Sequence, residues 1–184
     1  AVMKTVVDAA PRALAGHDDY AAHADLMWAG MLAHNNSCGI GREQDWASHQ
    51  IEHELSAFYD CAHGAGLAVV MPAWMEYVCG HDPMRFARFA INVFGCEMDY
   101  AHPERTAQAG IRRLREFFRA LHMPAALQDV GGKAEDIPAM VAHRASSWSR
   151  RAGRSRGFCR TGTETSLPKR FSPPCGRTQH WCPS

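Results

Sequence analysis

DWASHQIEHELSAFYDCAHGAGLAVVMP, running from Asp45 to Pro72, reads as two helices joined by a short turn and carries three histidines, His49, His53 and His63. At about 100° per residue, Ile51, Leu55 and Phe58 fall on one side of the first helix. His49 and His53, four apart, share the opposite side with Trp46 and Ser56, and Glu52 flanks them. The imidazoles therefore lie off the aliphatic stripe, where an isolated histidine is ordinary core. The Asp60-Cys61-Ala62 turn ahead of His63 can bring that third ring back toward the first two. Two imidazoles on one helical turn plus a third from the next element is a common way to hold a divalent transition metal. On the residues alone, surface and core roles stay open for all three.

Outward from that stretch the pattern stays helical. Residues 1–15 read as a helix that Pro11 kinks or divides. Residues 18–34, rich in Ala and Met around Leu26, Trp28 and Leu32, are apolar on most sides and predict a buried helix capped by Asp18 or Asp19. NNSCGIGRE is a loop. Beyond His63, GAGLAVVMPAWMEYV predicts a helix kinked or restarted at Pro72. Asp82-Pro83 offers an N-cap and a first-turn proline to a helix with Phe86, Phe89, Val93 and Phe94 inward and Gly95 as its stop. In PERTAQAGIRRLREFFRALHM, Ile111, Leu114, Phe118 and Leu121 recur at helical spacing. Arg112, Arg115 and Arg119 take its solvated side, a better reading than a nucleic-acid contact. A last short helix, EDIPAMVAHRA, follows a Gly-Gly-Lys turn. No alternating strand pattern occurs in 1–145, so the expected fold is all-α, a helical bundle.

The totals divide the chain in two. The net charge of +1 over 184 residues conceals 12 Lys+Arg against 18 Asp+Glu in 1–145 (−6), and 8 against 1 in 146–184 (+7). The first part suits one domain. The second, dense in Ser, Arg, Gly, Pro and Cys, has no hydrophobic period and predicts a disordered basic tail, or a stretch read out of frame. Its aromatics are too few for a nucleic-acid stacking platform. Seven cysteines without a Cys-x-x-Cys pair suit neither a disulfide framework nor a thiolate zinc site, and fit a reducing, cytoplasmic setting. No signal peptide or long apolar run points to export or a membrane. The first residue is not Met and the pattern opens in mid-helix, which suggests a fragment.

The segment DLMWAGMLAHNNSCGIGREQDWASHQIEHELSAFYDCAHGAGLAVVMPAWMEYV resembles the iron-containing alcohol dehydrogenase family, in its butanol dehydrogenase-like, NAD(P)H-dependent branch. The resemblance covers about residues 1–143 and includes LREFFRALHMPAALQDVGGKAEDIPAM. It implies a C-terminal helical metal-binding domain (1–145) whose N-terminal nucleotide-binding domain is missing. It also implies His49 and His63 as metal ligands, with Fe2+ as the ion and Zn2+ the alternative, and His53 beside the nicotinamide and substrate. The family's other two ligands, an Asp and a His one helical turn apart, should fall before Ala1. Asp19 and His23 imitate that pair but lie too close to His49, and read as a cap and a surface residue. The implied chemistry is hydride transfer between NAD(P)H and a small alcohol or aldehyde whose oxygen meets a Lewis-acidic metal. The intact enzyme is expected to be a homodimer and this fragment inactive. Asp45, Glu52 or Asp60 could support the ligand imidazoles. His122 stands where the family usually has glycine before Met-Pro, and the family's closing segment is replaced by the basic tail.

Two other classes of function are open to a His-x3-His helix. A zinc hydrolase needs Glu directly after the first histidine of His-x3-His, but Gln50 is there. A non-catalytic helical binding module is the other alternative. Gly39-Ile-Gly41 lies between helices and is no dinucleotide-binding turn. His17, His34, His81, His102, His122 and His143 have no partner at ligand spacing and read as surface or cap residues.

Overall fold

The structure, a computed structural model, describes residues 1–41 and 43–145; the expected tail over 146–184 lies outside them. The described residues are helical without strands: α1 (Val2–Ala15), α2 (Tyr20–His34), α3 (Ala47–Tyr59), α4 (His63–Val78), α5 (Pro83–Phe94), α6 (Pro103–Ala120), and α7 over 137–145. Short 3-10 turns, Leu127–Val130 and Ala134–Asp136, lead into α7. The all-α expectation is borne out.

Helix boundaries follow side-chain capping. Asp19 accepts the Ala22 N–H at 2.9 Å to open α2, and Asp82 accepts the Arg85 N–H at 3.0 Å ahead of Pro83 in α5. Each satisfies a donor that has no partner within the helix. Gly95, at φ 67°, stops α5 in the left-handed region. Pro11 and Pro72 lie within α1 and α4 without dividing either helix.

Small residues let the helices approach. Ala87 and Ala90 of α5 and Ala107 of α6 are fully buried where those helices meet. Gly110 faces Ala90 so closely that a Cβ there would lie 2.4 Å from the alanine methyl. Ala9 and Ala13 of α1 pack on Ala22 of α2, with Leu26 beside them. α4 packs against both α3 and α6. Leu55, Val70 and Met140 form a second cluster joining α3, α4 and α7, flanked by Tyr59, Cys61 and Leu127.

Two helices depart from the sequence reading. α2 is not enclosed: Ala22 and Ala29 are buried, while Tyr20, Met27 and Trp28 are exposed. A helix apolar all round has no pattern that selects its buried face, and here the alanine side won because it fits closely against α1. In α3, Leu55 is buried as expected, but Ile51 and Phe58 are about two-fifths exposed (43% and 41%) and Ser48, Glu52 and Glu54 are buried instead. The inward side of α3 is largely polar, and polar contacts hold it. His143 of α7 pairs with Glu54 at 2.6 Å, and the Arg144 guanidinium donates to the Gln50 side chain. His143 is thus no bare surface residue.

Candidate metal centre

Three of the four side chains at this centre come from one helix. His49, Glu52 and His53 occupy i, i+3 and i+4 of α3 and so share a face. The fourth, His63, is the first residue of α4. The chain reverses between them at Asp60, whose φ of 51° is left-handed, and three residues carry it from Tyr59 to His63. This places the His63 ring between the other two, with centroids 5.4 Å from His49 and 5.5 Å from His53. The three rings are neighbours, as the turn suggested, but His49 is not among the side chains whose ligand atoms come within 4.8 Å of one another; among the described residues those are Glu52, His53 and His63. The Trp46 ring lies edge-on to His49 at 5.0 Å.

The rings differ in environment. His53 and His63 are exposed, whereas His49 is half-buried, and its Nδ1 is buried without a hydrogen-bond partner. Burial, followed by the charges of His63 and His53, holds the His49 pKa below the ordinary histidine value; His34, at the end of α2, acts in the same direction. A neutral imidazole is the form that ligates a cation. An orphaned ring nitrogen beside two further imidazoles fits a divalent transition metal by donor chemistry.

Glu52 has a larger part than a flanking one. It is fully buried, its Oε2 pairs with His63 Nδ1, and Ser56 Oγ lies 2.5 Å from its Oε1. By proximity Glu52, His53 and His63 form a trio whose ligand atoms lie within 4.8 Å of one another. Both Glu52 oxygens already have a hydrogen-bond partner, Ser56 on one and His63 on the other, although each keeps a second lone pair. Asp45 is engaged elsewhere, accepting the Trp74 indole N–H at 2.9 Å and the Ala47 N–H at 2.8 Å. Asp60 serves the chain reversal.

Sequence reasoning passed over Gly66. A Cβ there would lie 2.5 Å from Glu52 Oε1, so the glycine leaves space for the buried carboxylate. The usable signal was Gly66 one turn after His63, opposite an acidic residue on the preceding helix. Asp19 and His23 lie on α2, with Asp19 engaged as its cap.

A model of the Fe-containing alcohol dehydrogenase family, C-terminal part, matches residues 1–152. NADH-dependent butanol dehydrogenase A of Clostridium acetobutylicum is 40% identical over 132 residues, which is 71% of this chain and 34% of that protein. The NADPH-dependent aldehyde reductase YqhD of Escherichia coli is 31% identical over 140 residues, 76% of this chain and 36% of that protein. Among solved structures, NADH-dependent butanol dehydrogenase A from Thermotoga maritima superposes with a TM-score of 0.74 at 39% identity, covering 78% of this chain and 36% of that one. The chain thus spans about a third of the length of the curated relatives it matches.

Proposed function

Because the chain belongs to the Fe-containing alcohol dehydrogenase family, we propose that it is the metal-bearing helical part of an NAD(P)H-dependent enzyme that interconverts small alcohols and aldehydes. The observation that carries this reading is the approach of His49 and His63 from neighbouring helices, with an unpartnered buried nitrogen on His49. In it, His49 and His63 are ligands and His53 lines the substrate and nicotinamide side. The bound groups would supply Lewis acidity toward the substrate oxygen, from Fe2+ or alternatively Zn2+, and a hydride from the reduced nicotinamide.

The residues of this chain have separate tasks. Held at Nδ1 by Glu52, His63 keeps Nε2 for the cation. His49, kept neutral by its surroundings, offers a lone pair without first losing a proton. His53 is exposed and flanks His63, a position from which it can contact a substrate rather than the buried side of the centre.

The nicotinamide-binding domain and the homodimer expected of the intact enzyme belong to the same proposal, as does a cytoplasmic setting. No helix among the described residues is long and apolar enough to cross a membrane. The test uses the 184-residue chain. It should not reduce butanal with NADPH or NADH, and it should bind a divalent metal weakly enough to lose it on dialysis, since the second ligand pair and the coenzyme site would lie on other sequence. Turnover of butanal, or a stoichiometric metal kept through dialysis, would overturn the proposal.

A further inference from the structure

Glu52 sits where an ordinary helix-packing residue would be apolar. Burying a carboxylate is unfavourable unless its charge is compensated and its lone pairs are filled. No lysine or arginine of the described residues pairs with Glu52. Its partners are the Ser56 hydroxyl and His63 Nδ1, and His63 itself remains half-exposed. Gly66, with no side chain, leaves the space that the carboxylate occupies: a Cβ would lie 2.5 Å from Oε1, 2.7 Å from Cγ and 3.0 Å from Cδ. The neighbourhood is thus shaped around a buried carboxylate whose one ion-pair partner among the described residues is His63.

We propose that Glu52 is the positioning residue of the centre, fixing the His63 ring and its tautomer so that Nε2 points a lone pair outward. With Glu52 ionised the carboxylate can only accept a hydrogen bond, and its contact with Nδ1 would then place the proton on that nitrogen. Nε2 is then unprotonated, and the negative charge behind the ring raises its basicity toward a cation. Ser56 holds the other carboxylate oxygen and so prevents Glu52 from rotating away from the ring. Its hydroxyl has an alternative acceptor, the Cys61 carbonyl at 3.1 Å, so removing Glu52 leaves Ser56 satisfied.

The inference rests on the metal-bearing reading for its purpose, but not for its geometry. Glu52→Leu in the 184-residue chain separates positioning from structural support. A structural carboxylate would take stability with it when removed. A positioning one, replaced by a buried apolar group of similar size, leaves folding unchanged or improved. The expected result for Glu52→Leu is a melting temperature equal to or above wild type. His63 should change from a single Nδ1–H tautomer to a mixture in ring-nitrogen NMR, and affinity for titrated Co2+ should fall by roughly 10- to 100-fold. Glu52→Gln restores an acceptor without the charge. It should keep the tautomer and fall between the other two in Co2+ affinity.

An unchanged His63 tautomer in Glu52→Leu overturns the inference, as does a loss of melting temperature with Co2+ affinity intact. The wild-type chain is itself expected to bind weakly, and Co2+ uptake too small to titrate is consistent with the metal-bearing reading. The tautomer comparison, made without metal, still decides for or against Glu52 in that case.

Discussion

Gly110→Ala and Gly30→Ala add the same methyl group to two helices and should move stability in opposite directions. At Gly110, in α6, the new Cβ would lie 2.4 Å from the Ala90 Cβ, 2.8 Å from its Cα and 3.3 Å from its backbone nitrogen. Carbon atoms in contact sit at about 3.5–4.0 Å, so α5 and α6 must separate by roughly 1 Å at this crossing. A flexible side chain cannot absorb that movement, because two of the three obstructing atoms are backbone. The crossing is also the seam where Ala87, Ala90 and Ala107 are fully buried, and opening it loosens contacts along both helices. Overpacking of this kind costs about 1–3 kcal/mol. At a middle value of about 2 kcal/mol, the melting temperature of a domain this size falls by roughly 4–8 °C. At Gly30, in α2, a Cβ meets nothing within 4 Å. Relief of the glycine entropy penalty should there stabilise the fold by about 0.5–1 kcal/mol. Thermal unfolding of both variants, followed by far-UV circular dichroism, reads the two signs side by side. If both stabilise, α5 and α6 are not packed as closely as described, and the argument from helix approach is wrong.

Three further outcomes are expected. In the intact enzyme, His49→Ala should abolish metal retention, whereas His53→Ala should lower turnover and leave the ion in place; equal loss of metal in both would refute the division of roles. The depressed His49 pKa makes the unfolded chain bind more protons than the folded one between the folded pKa and about 6.5. Stability of the metal-free chain should therefore drop as pH falls through that window, and His49→Gln should flatten the drop in melts taken across pH. His122, non-glycine at φ 57°, carries a left-handed strain of about 1–2 kcal/mol, partly offset on replacement by the added freedom of glycine when unfolded. His122→Gly should raise stability by up to about 1 kcal/mol in urea unfolding, and a lower midpoint would count against the strain.

The readable parts of the sequence were those in which a local rule coincided with the tertiary solution. Asp19 and Asp82 cap helices because a short acceptor before a helical run has few other roles, and both positions were evident. The likeness to a family at His49, His53 and His63 rested on spacing that survives without knowledge of packing. Even the mismatch at His122 was visible, since a position that favours glycine favours positive φ. What was not legible depended on neighbours remote in sequence. Nothing near Glu54 indicates that His143, on α7, will meet it. Ile51 and Phe58 form a proper helical stripe, yet α3 turns its polar side inward because Glu54 and Gln50 find partners there. The aliphatic pattern gave the right element and the wrong face. For Tyr59, the decisive contacts are Asp136 at 2.7 Å and the Lys133 N–H at 3.2 Å, both more than seventy residues away.

The inversion of α3 also bears on how the centre keeps its shape. A helix fixed by apolar packing alone can rotate by a few degrees while losing little, because dispersion contacts are individually weak and not directional. Hydrogen bonds weaken steeply when misaligned. α3 is engaged on one flank by Glu54 with His143 and by Gln50 with Arg144, and at its end by Tyr59 with Asp136. Rotation of the helix would misalign all of these together. His49 and His53 are carried on that same rigid turn, so their angular relation to His63 is set by contacts that touch neither ring. On this argument, cutting the distant tether at His143 should broaden the geometry of the centre before it unfolds the domain. His143→Ala should therefore alter the His63 ring-nitrogen spectrum at temperatures where the far-UV signal is still native. A spectrum unchanged up to the melting transition would mean that α3 is fixed by Leu55 and its neighbours after all.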